Sequence, residues 1–331
     1  MKKIKLFITS ILIILNSSTL IADDFNDWKI KFKKKAINEG ISKSTVNNLI
    51  DNSKFLPDVI KYDRYQPEFY EDTKTYISKR TSSKKVKLGK IILNKENNII
   101  NKVSSEYKVD KNLLLALMGI ETNFGNYLGK MDIVSSLATL SYDQRRSEFF
   151  TKELITLLKL VDAKIIDPST LFGSWAGAFG NFQFMPSTIN KYAIDYDKNN
   201  NIDLKSIKDS FASAANYVSK IGWKKNQPCF FRIDLKDNIP IKFLNTSASK
   251  IKYKKKLKNF KNYINNYDKI KSYENYKVAI ITPDKEIVNN PDILSPAYLV
   301  FDNYELILKW NRSLRFALAV CTLKNNFTNE L

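Results

Sequence analysis

The sequence predicts a mainly helical fold with a small strand-containing part, an α+β class. Up to about residue 228, apolar side chains recur at three- and four-residue intervals, the spacing of amphipathic helices. Between 229 and 303 the pattern changes to short β-branched and aromatic runs, FFRIDL, YKVAIITP and AYLVF, which are typical of strands. With 331 residues and 44% hydrophobic content, the chain can bury a sizeable core.

The first 22 residues are predicted to be a cleavable secretory signal peptide. A basic start, MKKIK, precedes the apolar run LFITSILIIL and small residues that end at Ala22. An apolar run of about ten residues is too short to cross a bilayer, which takes roughly 20. We therefore expect export to the periplasm and no stable membrane anchor, with an uncleaved anchor as the alternative.

Residues 23–228 are predicted to form one helical region. Its first helix is indicated by the apolar spacing in FNDWKIKFKKKAINEG, the next by the capping signals in ISKSTVNNLI, and a turn and a helix follow in VIKYDRYQPEFYEDTKTYI. Further helices are predicted over 92–107, 111–124, 146–162, 187–194 and 208–221.

Two smaller parts follow the helical region. The first, 229–303, is a small strand-containing unit, and its Lys/Asn-rich tract KIKYKKKLKNFKNYINNYDKIK is predicted to be a solvated or loosely ordered insert. The second, 304–331, is a closing helical element that returns to the helical core.

Residues that are missing or rare exclude several kinds of site. The chain has no histidine, which excludes Ser/His/Asp and Cys/His nucleophile systems and histidine-bound zinc. Cys229 and Cys321 are too far apart in sequence for a CxxC motif. They form either one disulfide, if the compartment is oxidising, or two buried thiols.

A net charge of +20 favours anionic partners. Nucleic acid conflicts with export, so a wall polymer or a membrane surface is the better expectation. The alternative is that these lysines are ordinary solvated surface, since Lys, Asn and Ile are all heavily used, as nucleotide bias would produce.

One carboxylate stands out inside the apolar run LLLALMGIETNFGNYLG. On a helix that Asp110 caps, Leu114, Leu117, Met118 and Glu121 fall on one apolar face. Desolvation there would raise the pKa of Glu121 and keep its proton near neutral pH, as a general acid requires. A buried glutamate satisfied by a nearby Arg or Lys is the alternative.

Glycine is concentrated in one part of the chain, between residues 119 and 180. The stretch GSWAGAFGNFQFMPST places it beside amides, aromatics and a hydroxyl. In a chain that otherwise avoids glycine, this predicts a backbone that approaches something closely, as in the wall of a ligand groove. Close helix packing is the alternative for Gly177 and Ala178.

Several separated motifs, spanning most of residues 25–325, carry a family resemblance. In chain order they are FNDWKIKFKKKAINEGIS, YDRYQPEF, IETNFGNYLGK, ATLSYDQRRSEFF, GSWAGAFGNFQFMPS, NYVSKIGW and YELILKWNRSLRFALAV. This series resembles the membrane-bound lytic transglycosylase B family of peptidoglycan-cleaving enzymes. The resemblance implies a lysozyme-like helical core, which agrees with the helices predicted independently.

The resemblance also implies a reaction. Family enzymes cleave the β-1,4 bond between N-acetylmuramic acid and N-acetylglucosamine without adding water. One glutamate protonates the departing oxygen and then takes the proton of the muramoyl C6 hydroxyl, which closes a 1,6-anhydro ring. Glu121 matches that glutamate by motif. Peptidoglycan glycan strands are the implied partner, and no catalytic cofactor is expected.

Further residues are assigned to substrate by the same resemblance. They are Ser174 and Asn311 as hydrogen-bond partners near the scissile sugar, Gln183 and Phe184 along the groove, Arg145 and Arg146 facing the glycan or its peptide, and Trp310 stacking on a sugar ring. The alternatives are that Phe184 belongs to the core and that the arginines form a structural ion pair. WNRS stands where the family has YNNS, so Arg312 puts the geometry around Asn311 in doubt.

The stretch DYDKNNNIDLKSIKD resembles an EF-hand calcium loop. Asn200 takes the place of the turn glycine, and Ser206 stands where the closing glutamate would be. An elongated loop closed three residues later resembles a variant seen in the family. A structural Ca²⁺ is expected, with a metal-free Asn/Asp-rich turn as the alternative. The ligands would be Asp195, Asp197, Asn199, the backbone carbonyl of Asn201, Asp203 and Asp209.

Three other functions compete with a lytic transglycosylase. A hydrolytic muramidase would use the same Glu121 with water, and Asp132, Asp143 or Glu148 would then supply a base. A non-catalytic peptidoglycan-binding protein would keep the groove for recognition alone. A nucleic-acid binder built on the lysines of 251–272 would require a cytoplasmic protein.

Overall fold

The computed structural model describes residues 24–66, 70–285, 287 and 292–330. The signal peptide predicted over 1–22 lies outside the described residues, so its cleavage stays a prediction. In the part of the chain that the structure describes, none of the helices has the length and apolar character needed to cross a membrane. The predicted α+β class is confirmed, because helices dominate and the strands are short.

Most of the helices precede the main strands in sequence, and the last ones follow them. The helices are α1 (24–38), α2 (Lys43–Ile50), α3 (Pro57–Arg64), α4 (Thr73–Arg80), α5 (Ser83–Lys95), α6 (Asn97–Glu106), α7 (Lys111–Thr122), α8 (Ile133–Tyr142), α9 (Ser147–Asp162), α10 (Pro186–Tyr192), α11 (Ile207–Lys220), α12 (Asp302–Trp310) and α13 (Leu314–Glu330). The strands are β1 (Met131–Asp132), β2 (Phe172–Gly173), β3 (Phe230–Ile233), β4 (Leu244–Asn245), β5 (Lys255–Lys256), β6 (Lys277–Ile281) and β7 (Ala297–Val300).

The chain folds into two compact units that are each discontinuous in sequence. The predicted boundaries follow chain order instead, with the helical region ending at 228. Helix α7 illustrates the difference, because it packs against α13 from the far end of the chain. Among the described residues, the first unit comprises 24–64, 128–191 and 198–203, and the second comprises 65–127, 192–197 and 204–330.

Helices α8 and α9 pack together in the first unit. Every residue of α8 from Ile133 to Ser141 is buried, so this helix has no polar face. Apolar spacing therefore gave no signal for α8, and this helix was not predicted from the sequence. At the end of α8, Tyr142 makes edge-on ring contacts with Phe25 and Trp28 of α1 and with Phe55. These contacts bring the first helix onto the core of this unit.

The helical part of the second unit is organised around α13, which packs on α4, α5 and α7. Two glycines permit this close packing. A Cβ at Gly89 of α5 would lie 2.4 Å from the ring of Phe327, and one at Gly119 of α7 would lie 2.7 Å from the ring of Phe124. A larger residue at either position would therefore displace a buried aromatic ring.

The strands of the second unit form a small sheet in the order β3-β7-β6-β4, and β5 pairs with β6. The pairing is antiparallel except between β4 and β6, which are parallel. The predicted runs FFRIDL, YKVAIITP and AYLVF contain β3, β6 and β7, so the main strands are confirmed.

The Lys/Asn-rich tract packs onto this sheet, which corrects the prediction of a solvated or loosely ordered insert. It contains two 3₁₀-helices, Leu257–Tyr263 and Tyr267–Tyr273. A 3₁₀-helix has three residues per turn, so residues three apart share a face. The lysines and asparagines between the buried residues face solvent. The buried residues of the tract are Leu257, Phe260, Ile264, Tyr267 and Ile270, and they contact sheet residues such as Val278, Ile280 and Leu299.

Cys229 and Cys321 form a disulfide, the first of the two predicted alternatives. Their Cα atoms are 6.1 Å apart and 92 positions separate them in sequence. Cys229 immediately precedes β3 and Cys321 lies within α13. The bond thus ties the sheet to the central helix of the second unit.

Candidate active site

Glu121 lies in the last turn of α7, a helix whose other apolar residues belong to the core of the second unit. Asp110 caps the start of this helix by accepting a hydrogen bond from a backbone amide at 2.9 Å. Leu114, Leu117 and Met118, which share a face with Glu121, are buried. Glu121 itself is half-buried. Its carboxyl group therefore lies where the apolar core meets solvent.

Helix α7 ends one residue after Glu121, at Thr122, earlier than predicted. The next three residues, Asn123, Phe124 and Gly125, have positive φ angles of 49°, 60° and 81°. The left-handed conformation is unfavourable for residues other than glycine, although asparagine tolerates it best. This left-handed segment ends the helix and leaves its last carbonyl groups without partners inside the helix.

Trp310 holds the carboxyl group of Glu121. Its indole Nε1 donates a hydrogen bond to Glu121 Oε1 at 2.8 Å. Since an indole N–H is only a donor, Oε1 accepts this hydrogen bond. The contact therefore orients the carboxyl group of Glu121.

Two stacked tyrosines pack against one face of the Trp310 ring. The Trp310 ring stacks on Tyr217 of α11 at 5.0 Å, and Tyr217 stacks on Tyr192 at 4.3 Å. Burial, with a smaller effect of Tyr192, raises the pKa of Tyr217 to about 12, so its hydroxyl stays neutral. That hydroxyl donates to the carbonyl of Lys309 at 3.0 Å. Tyr217 thus covers one ring face of Trp310, the residue that was expected to stack on a sugar.

Asn311 follows Trp310 at the end of α12 and is half-buried. Its backbone amide donates to Ile307 O at 3.0 Å, and its carbonyl accepts from Ser313 N at 2.8 Å. Arg312, the departure from the family pattern, is exposed. The backbone of Asn311 therefore closes the helix, and its position next to Trp310 places it beside the residue that contacts Glu121.

Glu121 lines a cavity of about 350 Å³, which we call the Glu121 cavity. Glu121 is the one acidic side chain among the described residues that line it. Two lysines line it as well, and burial, together with the charge of Arg80, lowers the pKa of one of them, Lys85, to about 8. The lining residues are Ser82, Lys84, Lys85, Leu88, Ile120, Glu121, Thr122, Asn123 and Tyr127.

The glycine-rich segment that contains Ser174 belongs to the first unit. Ser174 N donates to Ala178 O at 2.8 Å, and Ser174 Oγ accepts from Ala178 N at 3.0 Å. A Cβ at Gly177, where φ is +85°, would lie 2.4 Å from Leu137 of α8. A Cβ at Gly173 would lie 2.3 Å from the carbonyl of Ala178. Close helix packing, the predicted alternative to a groove wall, accounts for Gly177, whereas Gly173 packs closely against the backbone of its own segment.

Gln183 and Phe184 follow in the same segment and differ in exposure. Gln183 is half-buried with a φ of 48°, and its side-chain amide donates to Gly180 O at 3.1 Å and to Leu128 O at 3.2 Å. Phe184 is only 3% exposed, and its backbone pairs with Phe179. So little exposure fits the core position, the predicted alternative for Phe184, better than a groove wall.

Arg145 and Arg146 form ion pairs with a buried carboxylate, Asp63 of α3. Arg145 Nε lies 2.8 Å from Asp63 Oδ2, and the guanidinium of Arg146 packs over the rings of Phe149 and Phe150. Both arginine side chains keep about two fifths of their surface exposed, 43% and 40%. The structural ion pair predicted as an alternative is therefore present, and each guanidinium also remains accessible.

The loop predicted to bind calcium brings three carboxylates together. Oxygens of Asp195, Asp197 and Asp209 lie within 4.8 Å of one another. Asn200 has a φ of 67°, so it adopts the left-handed conformation expected at the position of the turn glycine. Asp209 also accepts a hydrogen bond from Tyr196 N at 2.9 Å. The other predicted ligands, Asn199, Asn201 and Asp203, lie in the first unit.

The family model described as Transglycosylase SLT domain matches residues 24–325. The chain belongs to this transglycosylase family. The resemblance found in the sequence motifs is thus confirmed, and the matched range includes Glu121, Trp310 and the glycine-rich segment.

Known relatives of this transglycosylase family agree with the assignment. The membrane-bound lytic murein transglycosylase B of Escherichia coli (strain K12) is 36% identical over 151 residues, which are 45% of this chain. The chain matches 42% of that relative's length. The crystal structure of SltB3 from Pseudomonas aeruginosa in complex with NAG-NAM-pentapeptide is 30% identical, with a TM-score of 0.78 over 92% of this chain and 79% of SltB3.

A further structure shares the fold and was determined with a metal ion. The Escherichia coli lytic transglycosylase Slt35 in complex with calcium has a TM-score of 0.74 at 24% identity, over 91% of this chain and 93% of Slt35. At this identity the likeness shows the fold alone.

Two residues near Glu121 in this family member were not among those predicted from the sequence. Tyr217 lies in the motif NYVSKIGW, which was used only for the resemblance and was assigned no role. Its position in a motif shared with the family was the available signal. Lys85 lies in SSKKVKLGK among other lysines, and no pattern separates it from them. Its proximity to Glu121 depends on how α5 packs against α7.

Proposed function

We propose that this transglycosylase-family chain is a lytic transglycosylase that cleaves the β-1,4 bond between N-acetylmuramic acid and N-acetylglucosamine in peptidoglycan. Glu121 acts first as the acid that protonates the departing oxygen. It then takes the proton of the C6 hydroxyl, whose oxygen attacks the anomeric carbon and closes the 1,6-anhydro ring. No water is consumed, and Glu121 regains the proton that it gave.

The hydrogen bond from Trp310 Nε1 to Glu121 Oε1 is the observation that carries this proposal. It orients the carboxyl group in the lining of a cavity, where Oε2, the oxygen that does not accept from Trp310, is the better site for the proton. Family membership and the glycan ligand bound by SltB3 support the same substrate class.

Each of the three carboxylates considered as the base of a hydrolytic muramidase has a structural partner. Asp132 accepts a hydrogen bond from Ser135 N at 2.6 Å as the cap of α8, and Asp143 pairs with Arg64 at 2.8 Å. Glu148 pairs with Lys152 at 2.6 Å. A hydrolytic glycosidase usually needs a second carboxylate at a defined separation from the first. Because Asp132, Asp143 and Glu148 have these structural partners, we favour the non-hydrolytic reaction, which needs one glutamate.

Digestion of purified sacculi, followed by mass analysis of the soluble products, tests this proposal. The wild-type protein is expected to release muropeptides one water lighter than hydrolytic products. Glu121→Gln is expected to lower their release by about 10²–10⁴-fold or more, because the amide cannot donate an acidic proton. Glu39→Gln, which changes an exposed glutamate with no assigned role, is the matched control. Hydrated products would indicate a muramidase, and equal release by Glu121→Gln would exclude catalysis by this residue.

We further propose that Ser174, Gln183, Asn311 and the exposed guanidinium groups of Arg145 and Arg146 contact the glycan or its peptide. Export to the periplasm, through the signal peptide predicted over 1–22, would deliver the enzyme to this substrate. N-terminal sequencing of exported protein tests the export step, and a mature chain that still begins at Met1 would contradict cleavage.

A structural Ca²⁺ is proposed for the loop of Asp195, Asp197 and Asp209. Calcium–oxygen distances are 2.3–2.6 Å, so two ligands on opposite sides of one ion are about 5 Å apart, which the 4.8 Å cluster fits. The ion would neutralise three carboxylates and order the loop. Ca²⁺ is expected to raise the melting temperature, and Asp197→Asn to weaken this effect. An equal effect of Mg²⁺, or none of Ca²⁺, would contradict a calcium site.

A further inference from the structure

Lys85 is a cation in the Glu121 cavity that the proposed reaction does not use. Its ammonium group donates a hydrogen bond to the carbonyl of Gly119, two residues before Glu121 in α7. That carbonyl is one of the last four of the helix, which carry partial negative charge and have no partner within it. The contact fixes the lysine beside the catalytic helix and leaves two of its three N–H groups for other partners.

Lys85 has no ion-pair partner among the described residues, although Glu121 lines the same cavity. Its side chain is half-buried, and among the described residues no carboxylate forms an ion pair with it. Burial, and then the charge of Arg80, lowers the pKa of Lys85 to about 8. A partly desolvated ammonium group without a counter-ion is unfavourable. An anionic group entering the cavity would remove that cost.

The rest of the cavity lining suits an anion in the same way. Lys84 adds a second positive charge, whereas Glu121 is the one acid among the described lining residues. Ser82 and Asn123 add neutral side chains that can donate hydrogen bonds. A carboxylate close to Glu121 would therefore find one ammonium group inside the cavity and another at its rim.

We propose that Lys85 binds a carboxylate attached to the muramic acid of the substrate, and so selects charged wall glycan over uncharged oligosaccharide. This inference rests on the proposed function. Peptidoglycan offers the carboxylate from two sources, the stem peptide or, where the peptide has been removed, the lactyl group of muramic acid. N-acetylglucosamine carries none. Lys85 is thus a specificity-determining residue for the same site.

Titration of Lys85 predicts a pH dependence of substrate binding. Below about pH 8 its ammonium group pairs with the carboxylate, and above it the neutral amine does not, so KM should rise. Among the residues that the structure describes, the other titratable or charged groups around it are Arg80 on α4 and Lys84, Glu121 and Tyr127 in the cavity. Charged groups on the other helices of this unit have partners of their own. Lys324 pairs with Asp110, and Arg315 pairs with Asp284. Glu106 accepts a hydrogen bond from the Tyr196 hydroxyl, and Lys102 lies over the Tyr196 ring.

The test compares kcat and KM of wild type, Lys85→Met, Lys85→Arg and the control Lys87→Met, an exposed lysine of the same helix. Peptide-bearing strands and amidase-denuded strands serve as substrates. For Lys85→Met we expect KM to rise about 10-fold or more, with kcat changed less than about threefold, because a charge-assisted hydrogen bond is lost. Lys85→Arg should keep a low KM and lose its rise above pH 8, because arginine stays charged.

The two substrates distinguish the source of the carboxylate. A rise in KM only for peptide-bearing strands identifies the stem peptide, and a rise only for denuded strands identifies the lactyl group. Unchanged KM for both would overturn the inference, as would an equal loss of affinity for uncharged chito-oligosaccharide. If Lys85→Met fails to fold, Lys85→Arg decides, because a KM that still rises above pH 8 in this variant contradicts the role of Lys85.

Failure of the proposed function would be visible separately. If wild-type protein releases no anhydro product, the reaction is wrong whatever Lys85 does. Binding of the same muropeptides to Glu121→Gln, with and without Lys85→Met, then still measures the contribution of Lys85 to affinity. If wild type is active and Lys85→Met binds and cleaves as wild type does, only the inference about Lys85 fails.

Discussion

At the scale of single residues, the pair formed by Glu121 and Trp310 decides what this site can do. Apolar spacing already placed Glu121 on the buried face of α7, and Leu114, Leu117 and Met118 are buried there. The spacing could not show which side chain would hold the carboxyl group. Trp310, 189 positions away in sequence, supplies that contact. Trp310, for which stacking on a sugar ring stays a prediction, therefore also contacts the carboxyl group of Glu121.

Trp310→Phe should therefore reduce catalysis while leaving the fold intact. Phenylalanine keeps a ring that can stack on Tyr217 but lacks the N–H that binds Glu121 Oε1. Losing a hydrogen bond to a group that becomes charged costs about 1.5–3 kcal/mol, so kcat should fall roughly 10- to 100-fold.

A second tryptophan provides the control for that measurement. Trp223 is buried, and its Nε1 has no hydrogen-bond partner within the described ranges. Trp223→Phe removes an N–H that binds nothing, so kcat should stay near the wild-type value. Equal losses in the two variants would mean that packing, rather than the contact with Glu121, explains the effect of Trp310→Phe.

At the scale of elements, the Lys/Asn-rich tract shows how a polar composition can hide a packed segment. Lysine and asparagine dominate it, and the interpretation as a solvated insert relied on that composition. Its apolar residues, however, recur at nearly every third position, which is the period of a 3₁₀-helix. This period is neither that of an α-helix nor that of a strand, so comparison with those two patterns missed it.

Phe260→Ala tests whether this tract is part of the core. Phe260 is fully buried against the small sheet, so truncation should lower the free energy of unfolding by about 3–5 kcal/mol. Chemical denaturation measures the change. Asn259→Ala, at the exposed neighbouring position, should change stability by less than about 0.5 kcal/mol. If Phe260→Ala were equally mild, the tract would not be packed in solution.

Asp302, at the start of α12, makes the stability of the second unit depend on pH in the acid range. Asp302 accepts hydrogen bonds from Lys224 and Lys254, both at 2.7 Å. Burial alone would raise the pKa of Asp302, but these hydrogen bonds and charges outweigh it and lower the pKa from its ordinary 3.8 to about 2. The stabilisation is therefore complete above about pH 4 and is lost as the pH falls towards 2.

Asp302→Asn should remove this part of the acid sensitivity. The free energy of unfolding at neutral pH should drop by about 1 kcal/mol, since the ion pairs are partly exposed and solvent screens them. Between pH 4 and 2 the variant should lose less stability than wild type. Asp237→Asn, at an exposed aspartate, is the control. An unchanged slope in the Asp302 variant would contradict the assignment.

At the scale of the whole molecule, both compact units draw on distant parts of the chain. Helices α4 to α7 belong with α11 to α13, although much of the first unit lies between them in sequence. The disulfide between Cys229 and Cys321 closes a long loop within the second unit. A disulfide that closes a long loop restricts the unfolded chain more strongly than one that closes a short loop.

Replacing both cysteines by serine should lower the free energy of unfolding by about 4–5 kcal/mol, the chain-entropy estimate for a loop of this length. Guanidinium denaturation with and without dithiothreitol measures the effect. The reductant should destabilise the wild-type protein and leave the double variant unchanged. A wild-type midpoint that does not respond to reductant would indicate two free thiols, the other alternative that the sequence allowed.

The sequence by itself determined the α+β class, the main strands, the face of α7 that carries Glu121, the left-handed Asn200 and the family. Each follows from local spacing, from local backbone preference or from motifs in a fixed order, which are legible along the chain. Only the tertiary structure decided the partner of Glu121, the cation beside it, the core position of Phe184, the pairing of the arginines with Asp63 and the disulfide. These depend on which distant elements pack together, and long-range packing leaves no local period from which it could be predicted.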